Sequence, residues 1–168
     1  MFNFTYYMFN KTYDTMNTLK AGDKVPQFTV SDQDGNPVST SDFKGRKWVV
    51  FFYPKADTPG CTAEACDLRD HYRELQDAGY ALLGVSADTQ KKQSKFRDKF
   101  KFPFPLLADT EHTVINAFGV WGPKTFMGRK YDGIHRITFI MDEQGVVNRV
   151  IDKVKTSEHA SQILEPAS

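Results

Sequence analysis

Two stretches of the chain are apolar at nearly every position instead of at alternate ones. Lys47-Trp-Val-Val-Phe-Phe-Tyr53 and Tyr80-Ala-Leu-Leu-Gly-Val-Ser86 are rich in β-branched, aromatic and aliphatic residues, which suits strands buried on both faces. Pro54 ends the first. Between them, apolar or small side chains recur at 61, 65, 68, 72 and 75. That spacing predicts one helix over 59–78, closed by Gly79. A second helix is predicted over 89–101, with Pro103 and Pro105 ending it. A short extended piece at 106–109 and a short helix over 111–118, stopped by Gly119, follow.

The flanks are simpler. Residues 28–32 and 37–40 surround Gln33-Asp-Gly-Asn36, a turn signal for an N-terminal hairpin. The segment 120–133 reads as a long loop because glycines and prolines punctuate it. Residues 134–141 read as a strand, and Asp142-Glu-Gln-Gly145 turns it into a second strand over 146–151. A last helix over about 157–165 has Thr156 or Ser157 as its cap. Two β-α-β repeats followed by a hairpin and a helix make an α/β sandwich with a mixed sheet.

Size and composition agree with one domain. The chain has 168 residues, 40% hydrophobic and 26% charged, within the globular range. Patterning begins near Leu19, just after Met16. Residues 1–15 are therefore expected to be an extension or a non-native start, and 16–168 the domain. The net charge of +1 gives no hint of an acidic polymer as partner. Lys91-Lys-Gln-Ser-Lys-Phe-Arg-Asp-Lys-Phe-Lys101 is basic, but its amphipathic spacing reads as a solvated helix face, not a nucleic-acid patch. The aromatic N-terminus is interrupted by polar residues and lacks the features of a leader or a span. The expected compartment is a reducing cytoplasm, where a close cysteine pair is more often catalytic or redox-sensing than structural.

Both cysteines lie on the predicted first helix, in Thr58-Pro-Gly-Cys-Thr-Ala-Glu-Ala-Cys66. Cys61 sits at the helix start, where unpaired N–H groups and the dipole favour a thiolate. It aligns with Ala65, Leu68, Tyr72 and Leu75, the inward face, whereas Cys66 aligns with Thr62, Arg69 and Arg73. The sulfurs leave the helix about 140° apart, with Cα atoms roughly 8 Å apart, beyond the ~7 Å limit for a disulfide. A bond between them requires the first turns to unwind. Peroxide would convert the Cys61 thiolate to a sulfenic acid, and Cys66 would then close the disulfide. The alternative is that both cysteines are inert small hydrophobes in a core helix.

Neighbouring residues have plain readings too. Thr58 is placed to cap the helix, and its hydroxyl also lies beside Cys61. Pro54 and Pro59 would stiffen the loop, and Glu64 would favour the helix dipole. By pattern, Arg136 is an ordinary outward strand residue. Trp121, Phe126 and Tyr131 would line a pocket or pack in the core. His71, His112, His135 and His159 show no metal-ligand spacing and read as packing or surface residues.

The stretch Phe52-Tyr-Pro-Lys-Ala-Asp-Thr-Pro-Gly-Cys-Thr-Ala-Glu-Ala-Cys-Asp-Leu-Arg-Asp70 resembles the active-site region of the peroxiredoxins, in particular the bacterioferritin comigratory protein (peroxiredoxin Q) subfamily. The resemblance runs from about Met16 to the last helix. It includes Gly119-Val-Trp-Gly and Phe126-Met-Gly-Arg-Lys-Tyr-Asp-Gly-Ile-His-Arg-Ile-Thr-Phe139. The family pattern Pro-x-x-x-Thr-x-x-Cys falls on Pro54, Thr58 and Cys61.

The resemblance implies a thioredoxin-like fold, a three-layer α/β/α sandwich. It also implies a peroxidase acting on hydrogen peroxide and organic hydroperoxides. Cys61 would be the peroxidatic cysteine, with Thr58 and Arg136 as catalytic partners and Pro54 and Gly60 against the substrate. Cys66 falls where many members carry a resolving cysteine. Thioredoxin would be the electron donor and the protein a monomer, with no cofactor or metal. Two other readings stay open. A general thiol–disulfide oxidoreductase usually wants Cys-x-x-Cys, and a redox-regulated sensor would pass oxidation to a partner. The final helix ends early, at Leu164-Glu-Pro166, outside the family motif.

Overall fold

The computed structural model describes residues 16–166, so the expected extension over 1–15 lies outside the described residues. The first apolar run forms β3 (Lys47–Phe52), at the centre of a five-stranded sheet of order β5-β4-β3-β8-β9. Strands β4 (Tyr80–Ser86) and β5 (Leu106–Ala108) run parallel to it. Strands β8 (Thr138–Met141) and β9 (Val147–Ile151) complete the other side in antiparallel pairing. The sheet is mixed, as expected. A separate hairpin of β1 (Thr29–Ser31) and β2 (Pro37–Ser39) precedes it.

Alternation along β3 builds two cores. Trp48, Val50 and Phe52 join Phe28, Phe118 and Phe139 on one face. Val49, Phe51 and Tyr53 join Cys61, Leu68, Leu75 and Phe96 on the other. Gly84 on β4 keeps the second face tight, because a Cβ there would stand 2.7 Å from Phe51 and 2.8 Å from Leu106. Helices α1 (Pro59–Asp70), α2 (Tyr72–Asp77), α3 (Gln90–Phe100) and α5 (His159–Leu164) cover that second face, and α4 (Thr113–Phe118) covers the first. The result is a three-layer α/β/α sandwich.

Several expected boundaries are corrected. The single helix over 59–78 is broken at His71, which has φ −110° and ψ 16°. Its Nδ1 lies 2.9 Å from the Asp67 carbonyl, holding the break locally. The segment 120–133 is not a loop but a hairpin of β6 (Trp121–Phe126) and β7 (Arg129–Ile134). Met127 and Gly128 turn it with φ of 50° and 77°, the type I′ geometry that suits strand twist. Both strands are largely exposed, so no apolar alternation marks them. The strand expected over 134–141 is interrupted at residues 135–137. The last helix begins at His159, with Glu158 at its N-cap and no capping side chain there, rather than Thr156 or Ser157. Among the described residues, no helix is long and apolar enough to cross a membrane.

Candidate active site

Strand β3 delivers the chain to the site, and a pinned loop aims it. Tyr53, just past the strand, is buried and donates to Gln93 Oε1 at 2.6 Å. Its burial pushes the phenol well above its ordinary value. Pro54 stops the ladder because it has no N–H to offer. The loop is then tied down by Ala56 N donating to Asp88 Oδ2 at 2.7 Å. Asp57 adopts a left-handed φ of 60° and pairs with Lys99 at 3.0 Å. The last loop residue, Thr58, is extended (φ −99°, ψ 155°), and Pro59 opens α1 with a φ suited to a helix start.

Thr58 does not cap α1 as expected. Its hydroxyl donates to the Lys55 carbonyl at 2.8 Å, and no side chain caps this helix. First-turn N–H groups have no intrahelical partner. They therefore lend partial positive charge to the space at Cys61.

Cys61 is buried, 2% exposed, on the inward face with Ala65 and Leu68. Its Sγ accepts from Arg136 Nη2 at 3.3 Å. The same guanidinium donates through Nη1 to Glu64 Oε1 at 3.1 Å. Cys61 and Glu64 stand three residues apart, so one helix face presents both to one planar fork. Arg136 is thus not an outward strand residue. The interruption between β7 and β8 turns it half-buried towards α1. Burial works against its charge, but Glu64 and Cys61 outweigh that, and its pKa is raised.

Gly60 makes this approach possible. A Cβ there would lie 3.2 Å from Arg136 Nη2, so any larger residue would press on the guanidinium. Lys124 of β6 adds a second cation. It is partly buried, and its ammonium donates to the Ile134 carbonyl at 2.8 Å. Burial and the charge of Arg136 lower its pKa, while Cys61 raises it.

Residues 21–150 match the AhpC/TSA family. The chain is also 52% identical over 149 residues to peroxiredoxin Bcp of Escherichia coli K12, covering 89% of this chain and 96% of that protein. The chain belongs to this family: it is a peroxiredoxin. Peroxiredoxin Bcp of Bacillus subtilis is 41% identical over 148 residues, 88% of this chain and 94% of its own. Among solved structures, Xanthomonas campestris peroxiredoxin Q superposes with a TM-score of 0.77 at 36% identity, covering 82% of this chain and 87% of that one. A Xylella fastidiosa peroxiredoxin Q reaches a TM-score of 0.81 at 27% identity, covering 87% and 93%. The fold is therefore thioredoxin-like and the protein a peroxidase.

In this peroxiredoxin, Cys61, Gly60 and Arg136 come together. Thr58 stands one turn before the cysteine, bonded to the loop, and Pro54 lies half-buried at the loop's start. Cys66 is a free thiol further along an unbroken α1, half-buried at the edge of the second core. Burial pushes its pKa up, partly opposed by Arg69. Two residues were not anticipated. Glu64 was read only as a partner for the helix dipole; it is wholly buried, and burial pushes its carboxyl up to about 7 against the pull of Arg136. Its position between Cys61, Ala65 and Leu68 on the inward stripe was the available signal. His159 is also wholly buried, its Nε2 3.7 Å from Glu64 Oε2, and nothing local in the sequence marked it. Trp121, Phe126 and Tyr131 are exposed on the β6–β7 hairpin instead of in the core. Phe126 and Tyr131 border a shallow depression of about 510 Å³ with Arg129 and Lys130.

Proposed function

We propose that this peroxiredoxin reduces hydrogen peroxide and organic hydroperoxides through a sulfenic acid at Cys61 and an intramolecular Cys61–Cys66 disulfide, with thioredoxin restoring the dithiol. The observation that carries the reading is the contact of Arg136 Nη2 with Cys61 Sγ at 3.3 Å, at the uncapped start of α1. A cation and free N–H groups are donors that a sulfur anion can accept from. The same donors stabilise charge moving onto the departing oxygen, which is where catalysis beyond simple ionisation arises.

The Cys61 thiolate attacks one peroxide oxygen. The S–O bond forms as the O–O bond breaks, and the second oxygen leaves with the electron pair and takes a proton, as water or an alcohol. Thr58 fits a binding role because its hydrogen is already given to Lys55, leaving lone pairs to accept from a peroxide O–H. Pro54, which has no N–H, and Gly60, which has no side chain, supply the small wall beside it. The first turns of α1 then unwind, Cys66 attacks the sulfenic sulfur, and water leaves as the disulfide forms. Thioredoxin's two thiols take up that disulfide by exchange, becoming oxidised themselves. Both cysteines belong to one helix of one chain, so a monomer suffices for the cycle. The Xanthomonas campestris bacterioferritin comigratory protein, 35% identical with a TM-score of 0.76, is described for alkyl peroxide reduction, which supports the same substrate class here.

Intact mass after one equivalent of hydrogen peroxide tests the scheme. Wild type should lose about 2 Da, Cys66→Ser should gain about 16 Da, and Cys61→Ser should not react. Thioredoxin with its reductase should return wild type to its starting mass and sustain turnover. A Cys61→Ser chain that reacts like wild type overturns the assignment. Single oxidation without turnover, together with a lasting mixed complex, would instead favour a redox sensor.

A further inference from the structure

The arginine network ends on a carboxylate oxygen with nothing bound to it. Glu64 Oε1 is taken by Arg136, but Oε2, fully buried, has no hydrogen-bond partner among the described residues. The group facing it is His159 Nε2 at 3.7 Å, also fully buried.

The bonds around the imidazole decide which nitrogen carries hydrogen. Gln162 Nε2 donates to the Lys153 carbonyl at 2.9 Å, and Lys155 N donates to Gln162 Oε1 at 2.9 Å. The amide is thereby oriented, and its oxygen is the atom 2.9 Å from His159 Nδ1. An amide oxygen only accepts, so Nδ1 holds a hydrogen. In the neutral ring Nε2 then carries a lone pair, which accepts from Thr138 Oγ1 at 2.7 Å and also faces Glu64 Oε2. Two lone pairs facing each other in a buried space repel. One proton held between carboxyl and ring removes the conflict, whichever of the two carries it.

The place of that proton changes what Arg136 meets. With the carboxyl protonated, Cys61 is the only anion bonded to the guanidinium. With it ionised, the guanidinium is shared between two anions on one helix face. We propose that His159 is a positioning residue for peroxide reduction, acting through Glu64 to set how firmly Arg136 is held against the Cys61 sulfur. This inference rests on the peroxidase reading and adds a regulatory group to its site.

The charged groups around the pair are Arg136 from residues 135–137, Cys61 and Asp67 on α1, and Arg149 on β9. Asp67 Oδ2 accepts from Ala160 N at 2.8 Å. Arg149 donates to the carbonyls of Gln162 and Ile163 at 2.8 and 2.7 Å. Both hold the helix that carries His159. Burial disfavours the charged ring most, joined by Arg136 and Arg149, against the bond to Gln162 and the charge of Asp67 that favour it, and the net pKa is lowered. Burial meanwhile raises the Glu64 carboxyl to about 7. The proton therefore rests on the carboxyl below neutrality and is lost as pH rises, drawing Arg136 towards Glu64.

The test is the stopped-flow rate of Cys61 oxidation by hydrogen peroxide, in full-length Cys66→Ser protein, from about pH 6 to 9. The expected profile has an alkaline decline of at least about threefold. Glu64→Gln keeps the bond to Arg136 without a titrating group and should abolish the decline. His159→Gln offers Oε2 a permanent donor and should move the decline to lower pH. His159→Leu removes the lone pair that accepts from the protonated carboxyl and should also move it to lower pH, by less than His159→Gln, which removes that acceptor and adds a donor. A structural role alone would not shift the profile in this graded order. Profiles that superimpose on the parent overturn the proposal, as does a decline moved to higher pH in either His159 variant. If neither His159 variant folds, a decline persisting in Glu64→Gln overturns it alone. Loss of peroxide reactivity at every pH in the parent would sink the peroxidase reading instead.

Discussion

The two faces of the central sheet are built from the same strands but to different rules. Face one, with Trp48, Val50, Phe52, Phe118 and Phe139, is an apolar cluster of closely packed rings. Face two mixes rings with buried polar side chains. Tyr53 bonds Gln93, Gln93 bonds Ser86, and Thr138 bonds His159. Cys61 and Glu64 lie in the same layer. Buried polar groups contribute little net stability and are expensive when a partner is lost. The first face therefore secures the fold. The second holds a reactive sulfur under a helix whose first turns the proposed cycle must unwind.

The sharpest way to break this contrast is to alter one residue on each face. Cys61→Ser should lower peroxide consumption by at least about a thousandfold while stability stays within about 1 kcal/mol. Phe118→Ala should do the reverse. Denaturant unfolding should show a loss of about 3–5 kcal/mol, with the rate per folded molecule unchanged. If Phe118→Ala slows Cys61 itself, the two faces are not separable.

Arg136→Lys comes next. A single ammonium cannot repeat the fork that meets both Cys61 Sγ and Glu64 Oε1. The second-order rate with peroxide should fall by about 10²–10³-fold. Retention of the full rate would mean that charge alone is enough and that the shared geometry on the second face is incidental.

Gly60→Ala probes the same contact more gently. Its Cβ would stand 3.2 Å from Arg136 Nη2, so the guanidinium must shift by a few tenths of an ångström. The rate should fall about tenfold, with thermal stability equal or slightly higher because alanine is the better helix former. Equal rates would show that Arg136 has slack.

The smallest effect concerns the unwinding itself. Burial raises the Cys66 thiol in the folded helix, and unwinding exposes it. The folded helix therefore holds the proton more tightly than the unwound one. As pH rises from the ordinary thiol pKa of about 8.5, the unwound form gains. Disulfide closure after peroxide, followed by rapid acid quench and mass, should accelerate severalfold across that range. A rate that is flat with pH would mean that unwinding is not coupled to Cys66.

Elements whose information is local were legible. The unbroken runs of β3 and β4 and the apolar spacing from Cys61 to Leu75 follow from the periods of strand and helix. The motif from Pro54 to Cys61 was readable for the same reason, since the turn and helix start that place the thiol lie within a few residues of it. The β6–β7 hairpin was not, because its exposed strands bury no alternating face and its turn holds Met127 where asparagine is usual. The break at His71 turned on one imidazole bonding to one carbonyl.

The sequence by itself determined the α/β layers, the helix that carries both cysteines and the side of that helix Cys61 faces. Only the tertiary structure decided what meets the sulfur. Arg136 lies 75 positions from Cys61 and 72 from Glu64, and His159 reaches the site from the last helix. Periodicity reports which face of an element is buried. It does not report which distant side chain shares that burial, and in a low-dielectric interior the shared partner decides which groups keep their charge.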